Sequence, residues 1–101
     1  MGEIKALYKK PGEGLKEIRI DNTLEALQEA VGGYIETLTL DNDLVVVCNE
    51  EGKLRGMDYN ATVAFEDIAG PFLALGVDAD EFADCPVDPE EFKFLYMDEE
   101  E

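Results

Sequence analysis

The side chains that could do chemistry in this chain are mostly carboxylates. Its 101 residues include 25 Asp and Glu and two Cys, but neither His nor Ser. The chain therefore lacks the commonest general base, the Ser–His and Cys–His nucleophilic pairs, and the imidazole ligands of most catalytic zinc sites. Two carboxyl groups with separated pKa values could still catalyse glycoside hydrolysis, but among so many acids a pair is expected by chance. We expect no catalytic residue, no enzymatic activity and no cofactor.

One segment is especially rich in acids, and it contains Asp78, Asp80, Glu81 and Asp84. Carboxylate oxygens suit Ca²⁺ and Mg²⁺. An EF-hand loop that begins at Asp78, however, needs Gly at its sixth position and Glu at its twelfth, where this chain has Ala83 and Pro89. We therefore expect no metal site. The four acids either are only a solvated surface, or they imitate the phosphates of DNA toward a basic protein.

A second candidate site is formed by Gly32, Gly33 and Tyr34. Glycines beside an aromatic residue can let a ligand approach the backbone closely. Phosphate-binding signatures place their glycines before a helix, whereas this pair follows one. The spacing favours a helix end, and contact with a small, nucleotide-like ligand is the alternative.

The net charge of −17 is unevenly distributed along the chain. Residues 1–56 have 11 acidic and 7 basic side chains, a net of −4, whereas residues 57–101 have 14 and 1, a net of −13. Such a surface repels nucleic acid and anionic membranes, so we expect neither as a partner, and a basic protein fits better. Without an apolar run of membrane-spanning or signal-peptide length, the chain is expected to be cytoplasmic.

The two cysteines lie in different settings. Cys48 ends an apolar run, and Cys85 precedes Pro86 in the acidic segment. No metal-binding or redox spacing connects them. We expect Cys48 to be buried, as free cysteines often are, and Cys85 to be exposed.

These residues must be positioned by a small set of elements, of which one helix is the best marked. Asn22 and Glu25 form a capping-box pattern that predicts a helix over residues 23–31. Leu24, Leu27 and Val31 share one face of it. Gly32-Gly33 ends the helix, and we expect Gly33 to adopt the left-handed conformation.

Two hairpins are predicted in the first half. Residues 4–9 and 15–20 are short strands joined by a loop with the turn residues Pro and Gly. Residues 34–40 and 44–48 follow the helix and are joined by a tight turn at residues 41–43. The second of these strands is apolar throughout, which predicts that both of its faces are covered.

The second half is less regular. Residues 53–63 show no sustained period. Residues 68–77 form a last core strand, but Gly70-Pro71 interrupts it, which predicts a bulge or an edge position. After an acidic loop at residues 78–86, Asp88 and Pro89 begin a helix that extends to about residue 97 and buries Phe92, Leu95 and Tyr96. Residues 98–101 are a solvated tail.

Together these elements predict a single α+β domain over residues 1–101. A small antiparallel sheet of four or five strands packs against one main helix, with a short C-terminal helix. The predicted core consists of Leu24, Leu27, Val31, Leu38, Leu40, Val45, Val47, Phe72 and Leu73.

Four segments in this order resemble a known family: DNTLEALQ (21–28), VGGYIE (31–36), LVVVCNEEGKL (44–54) and IAGPFL (68–73). They are similar to the family catalogued as domain of unknown function 3846, over about residues 3–80. The resemblance implies a small bacterial, phage or mobile-element protein without a settled activity. The chain departs from it at Pro71 and in an acidic C-terminal extension at about residues 78–101.

The leading interpretation is a non-enzymatic acidic binding protein of phage or mobile-element type, which inhibits a host defence protein by occupying its basic surface. One alternative is a protein that binds or sequesters a nucleotide-like ligand near Gly33 and Tyr34. Another is a stability module without a partner. Mimicry should weaken as salt rises, whereas burial of an uncharged ligand face should not.

Overall fold

Residues 2–97 are described in the computed structural model of the chain, and they form eight strands and two helices. In chain order these are β1 (Glu3–Lys9), β2 (Lys16–Asp21), α1 (Leu24–Val31), β3 (Ile35–Asp41), β4 (Leu44–Asn49), β5 (Tyr59–Val63), β6 (Glu66–Ala69), β7 (Phe72–Asp78), β8 (Glu81–Ala83) and α2 (Pro89–Tyr96). The predicted solvated tail, residues 98–101, lies outside this range. Neither described helix is long and apolar enough to cross a membrane.

Five strands form one antiparallel sheet in the order β2-β1-β7-β4-β3. The short β8 pairs with the end of β7, and β5 and β6 form a separate two-stranded hairpin. This architecture confirms the predicted α+β fold, with an antiparallel sheet, one main helix and a short C-terminal helix. Both hairpins predicted in the first half are present as β1–β2 and β3–β4.

The α1 helix begins one residue later than its sequence pattern predicts. Thr23, rather than Asn22, is the N-cap, and its hydroxyl accepts a hydrogen bond from the Ala26 N–H at 3.1 Å. Asn22 instead donates its side-chain amide to the Phe82 carbonyl at 3.0 Å. Asn22 therefore links α1 to β8, a long-range contact that a local capping pattern does not reveal.

The same helix ends at a glycine in the left-handed conformation, but at Gly32 rather than Gly33. Gly32 has φ 83°, and its N–H donates to the Gln28 carbonyl at 2.8 Å. A residue with a side chain is poorly tolerated in this conformation, which explains a glycine at this position. The predicted helix end is correct, and the residue that takes the positive φ is its neighbour.

The position of β7 corrects one prediction. Gly70-Pro71 does not place the strand at an edge or introduce a bulge into it, because β7 begins after the proline and is the middle strand of the sheet. The preceding residues form the separate strand β6. Pro71 lies outside the strand pairing, so its missing N–H removes no hydrogen bond from the sheet.

The sheet has an apolar core on each face, because successive residues of β4 and β7 point to opposite sides. One face packs against α1 through Val45, Val47, Leu73 and Leu75. The other packs against α2 and the β5–β6 hairpin through Leu44, Val46, Phe72 and Ala74. The prediction that β4 is covered on both faces is therefore confirmed.

Most of the predicted core residues are buried. Leu27, Val31, Val45, Val47, Phe72 and Leu73 are buried, and Leu38 and Leu40 are half-buried. Leu24 is 58% exposed, so its assignment to the core was wrong. It is the first residue of α1, one turn before Leu27.

The α2 helix has the predicted start, with Asp88 as N-cap and Pro89 as its first residue. Phe92 is buried, and its ring centroid lies 6.3 Å from that of Phe72 and 5.4 Å from that of Tyr96. Tyr96 is half-buried. Leu95 is exposed, which contradicts its predicted burial.

Candidate functional site

The space beside Gly32, Gly33 and Tyr34 is occupied by side chains of the protein itself. A Cβ atom on Gly33 would lie 2.9 Å from Asn49 Nδ2 and 3.0 Å from Arg55 Nη1. Tyr34 is exposed, and its carbonyl accepts the Glu50 N–H at 2.8 Å. The glycine pair thus lets the segment after β4 approach the end of α1.

This approach satisfies carbonyl groups at the C-terminus of α1. Asn49 Nδ2 donates to the Val31 carbonyl at 3.0 Å, and Arg55 Nη1 donates to the Gly32 carbonyl at 3.2 Å. Asn49 Oδ1 also accepts the Glu51 N–H at 2.7 Å. These contacts favour a structural role for Gly32 and Gly33, as the helix-end interpretation expects.

Three of the four predicted acids lie on the hairpin between β7 and β8. Asp78 pairs with Glu81, and Ala79 and Asp80 form the two-residue turn between them. Their φ angles of 53° and 71° are those of a type I′ turn. All three carboxylates are exposed.

Asp84 has a different setting, although it too is exposed. Its Oδ1 accepts the Lys5 N–H at 2.8 Å, and the next residue, Cys85, donates its N–H to the Lys5 carbonyl at 2.8 Å. Asp84 thereby continues the attachment of the β8 segment to β1. We separate it from the other three acids because its substitution would also affect the fold.

The sheet brings two further acids to the same place. Leu44, the first residue of β4, pairs with Gly76, and the Asp43 carbonyl accepts the Val77 N–H at 3.1 Å. The β3–β4 turn with Asp41 and Asp43 therefore lies beside the end of β7. We call the five exposed residues Asp41, Asp43, Asp78, Asp80 and Glu81 the acidic end.

Asp41 and Asp43 were not among the predicted site residues. They precede Asp78 by more than thirty positions in the chain, and only the antiparallel pairing of β4 with β7 brings the two turns together. The tight turn at residues 41–43 was recognisable from its Asp-Asn-Asp sequence. Its neighbour was not, because strand order cannot be read from local pattern.

Within residues 2–97, no carboxylate of the acidic end forms a salt bridge with a basic side chain. The salt bridge of the described residues joins Arg19 Nε to Glu3 Oε1 at 3.6 Å, and neither residue belongs to the acidic end. The field of the acidic end extends to α2. The pKa of Tyr96 is raised by burial and then by the carboxylates of Asp41, Asp43 and Glu91.

The burial of both cysteines differs from the prediction. Cys85 is buried, whereas Cys48 is half-buried in a cleft of about 170 Å³ between β4 and β6. Burial, assisted by the Glu36 carboxylate and opposed by Lys53, raises the pKa of the Cys48 thiol to about 11. Burial also raises the pKa of Cys85. Both are thiols at neutral pH, the form that is a poor nucleophile.

The described part of the chain contains no group of three or more Cys, Asp or Glu side chains arranged to hold a metal ion.

Comparison with known proteins identifies one family. The family model described as Domain of unknown function (DUF3846) matches residues 4–99. The match continues past residue 80, where the resemblance seen in the sequence ended, through β8 and α2. No curated protein and no solved structure matches the chain.

Proposed function

The chain belongs to the family Domain of unknown function (DUF3846), and from its own surface we propose that it is a non-enzymatic binding protein that covers a basic surface of another protein. The partner in this proposal is a host defence protein, the chain is of phage or mobile-element type, and binding takes place in the cytoplasm. The observation that carries the proposal is the acidic end. Two turns from distant parts of the chain expose five carboxylates at one place.

The backbone of the acidic end is held by the sheet, which matters for binding. Asp43 and Asp78 flank paired segments of β4 and β7, so the carboxylates are presented on short, hydrogen-bonded turns. Fixed charges of one sign attract an oppositely charged surface over a distance and align it on approach. Within the protein they repel one another, so their grouping has no stabilising effect that would explain it.

A role without catalysis agrees with the state of the side chains. The chain has neither His nor Ser, and both of its thiols have raised pKa values. A carboxylate pair remains the chemically possible catalyst, but acid–base work by two carboxyls needs their pKa values to be separated by their surroundings. The carboxylates of the acidic end are exposed to water.

The proposal is tested by removing charge from the acidic end without changing Asp84. We expect the wild type to retain a basic protein from a bacterial lysate, and D78N/D80N/E81Q to lose it. The control E25Q/E29Q/E51Q removes three exposed charges elsewhere and should retain the protein. Duplex DNA should displace the bound protein if the acidic end occupies a nucleic-acid-binding surface.

The two variants have the same net charge, so a difference between them reports position rather than total charge. Equal retention by both, or retention that is unaffected between low and high salt, would contradict the proposal. If neither variant nor the wild type retains a protein, the stability-module alternative is favoured.

A further inference from the structure

Phe65 occupies an unfavourable conformation at the tip of the β5–β6 hairpin. Ala64 and Phe65 form its two-residue turn with φ angles of 50° and 70°. Such turns prefer Asn and Gly, and a bulky side chain at positive φ is a rare outlier. The ring is 90% exposed, so packing within the protein does not compensate for this conformation. The two-residue turn requires positive φ, but it does not require a large apolar side chain at this position, so the exposed ring points to a function.

The tip of this hairpin lies against the end of α2. The Ala64 N–H donates to the Tyr96 carbonyl at 2.7 Å, and Val63 pairs with Met97. Phe94 and Leu95, just before this contact, are 87% and 53% exposed. We call Phe65, Phe94 and Leu95 the apolar surface. Large exposed apolar side chains on neighbouring elements of a soluble protein can mark an interaction site.

Phe94 also lines a cleft between α2 and the β1–β2 loop. The cleft has a volume of about 460 Å³, and Leu15 and Pro89 line it together with Phe94. Glu90 and Lys93 are its charged lining residues. A cleft lined partly by apolar side chains, with an exposed aromatic ring at its wall, can receive an aliphatic side chain of a partner.

The charges around the apolar surface indicate what kind of partner fits. Glu66 follows Phe65, and on α2 Glu90 and Glu91 lie one turn before Phe94 and Leu95, on the same sides of the helix. Lys93 precedes Phe94, so beside these residues three acids stand against one base. Two residues of the acidic end, Asp41 and Asp43, lie close enough to the end of α2 to raise the pKa of Tyr96. A second copy would bring the same acids and a net charge of −17, which opposes self-association.

We infer that the apolar surface docks an amphipathic segment of the basic partner, whose aliphatic side chains pack on Phe65, Phe94 and Leu95 while its Lys and Arg face the neighbouring glutamates. This inference rests on the proposed function and names the partner's chemistry. The apolar contact supplies a desolvated centre, and the carboxylates supply a charged rim, which is the usual arrangement of a protein interface.

The test uses two synthetic peptides of equal length and charge, an amphipathic one of Leu and Lys and a control of Ser and Lys. F65G should weaken binding of the Leu/Lys peptide by about tenfold, the loss expected for one interface anchor. The same variant should raise the melting temperature, because Gly accepts positive φ without strain. F94S should weaken the same peptide, whereas L54S, a control at an 88% exposed residue on the segment after β4, should not.

The Ser/Lys peptide distinguishes failure of this inference from failure of the proposed function. F65G and F94S should leave its binding unchanged, whereas D78N/D80N/E81Q should weaken it. If the Leu/Lys peptide binds F65G and F94S as tightly as wild type, the apolar surface is not the docking site. A wild-type dimer in sedimentation that F65G converts to monomer would overturn the inference in favour of a second copy.

Discussion

Asn49 connects the end of α1 to the sheet. It is buried at the end of β4, and its amide is bonded on both sides, to the Val31 carbonyl and to the Glu51 N–H. The bare Cα of Gly33 lies against it, and Gly32 supplies the left-handed turn that brings the chain there. The two positions therefore require glycine for different reasons. Gly32 has a positive φ, and at Gly33 a side chain would collide with the Asn49 amide.

We predict that Gly32→Ala lowers the free energy of unfolding by about 1 kcal/mol, because Ala in the left-handed conformation is strained. Gly33→Ala should also destabilise, through displacement of the Asn49 amide. Gly14→Ala is the control, because Gly14 lies in open space without a positive φ. Urea unfolding of the three variants is the measurement. A Gly32→Ala variant as stable as Gly14→Ala would contradict the helix-end role.

The two thiols should differ in reactivity in the folded protein. With a pKa of about 11, Cys48 has a small thiolate fraction at pH 8. As long as the pH is below the pKa, this fraction increases about tenfold for each unit by which the pH is raised. We predict slow alkylation of Cys48 by iodoacetamide, about ten times faster at pH 9 than at pH 8. Cys85 is buried and should react only when the protein opens. Mass-spectrometric mapping in which Cys85 reacts first would contradict this order.

At the scale of elements, the two type I′ turns are where sequence and structure agree least. Ala64-Phe65 and Ala79-Asp80 turn tightly without the Asn or Gly that such turns prefer. The sequence therefore does not indicate the β5–β6 hairpin, and it predicts a loop at residues 78–86, where the structure has β8. The β1–β2 and β3–β4 hairpins were predicted because their turns contain Pro, Gly, Asn and Asp.

We predict that Ala79→Asn stabilises the protein by about 0.5–1 kcal/mol, because Asn tolerates the left-handed conformation better than Ala. For a domain of this size each kcal/mol raises the melting temperature by about 4–8 °C. Thermal unfolding followed by circular dichroism measures the change. A lower melting temperature would mean that a contact of the Ala79 methyl group stabilises the protein by more than the strain of its positive φ destabilises it. Ala79 lies between Asp78 and Asp80 of the acidic end. Since Ala and Asn are both uncharged, the variant should leave the charge of the acidic end unchanged.

Helix ends show what local pattern can and cannot predict. Asp88 and Pro89 begin α2 as expected, since an N-cap and a first-turn proline act on neighbouring residues. Asn22 has the residue type of an N-cap but donates to Phe82, sixty positions away. Leu24 continues the apolar stripe of α1 but, as the first residue of the helix, is exposed. Contacts between residues that are distant in the sequence decide both cases, and a local sequence pattern does not reveal them.

At the scale of the whole molecule, the candidate site depends on strand order. Asp78, Asp80 and Glu81 were recognisable from their density in the sequence, and Asp84 was grouped with them although its carboxylate serves the fold. Asp41 and Asp43 joined the site because β7, the last long strand, lies next to β4. The apolar surface likewise combines a hairpin tip with a distant helix. Composition predicted an acidic surface, and topology determined which acids are neighbours.

The same charge distribution should make stability depend on salt. The described residues contain one salt bridge, between two exposed side chains, so attraction within the fold offsets little of the repulsion from a net charge of −17. The molecule measures 37 × 28 × 21 Å. At 0.01 M salt the Debye length is about 30 Å, so charges across most of the molecule interact, whereas at 0.1 M it is about 10 Å.

We therefore predict that the melting temperature rises with NaCl, and that most of the rise occurs between about 0.01 M and 0.1 M, where the Debye length falls below every dimension of the molecule. D78N/D80N/E81Q should start from a higher melting temperature and rise less, because repulsion at the acidic end is already reduced. E25Q/E29Q/E51Q carries the same net charge with the acidic end intact. A larger reduction of the salt effect in the first variant than in the second would show that repulsion is concentrated at the acidic end, and equal reductions would show that it is spread over the surface.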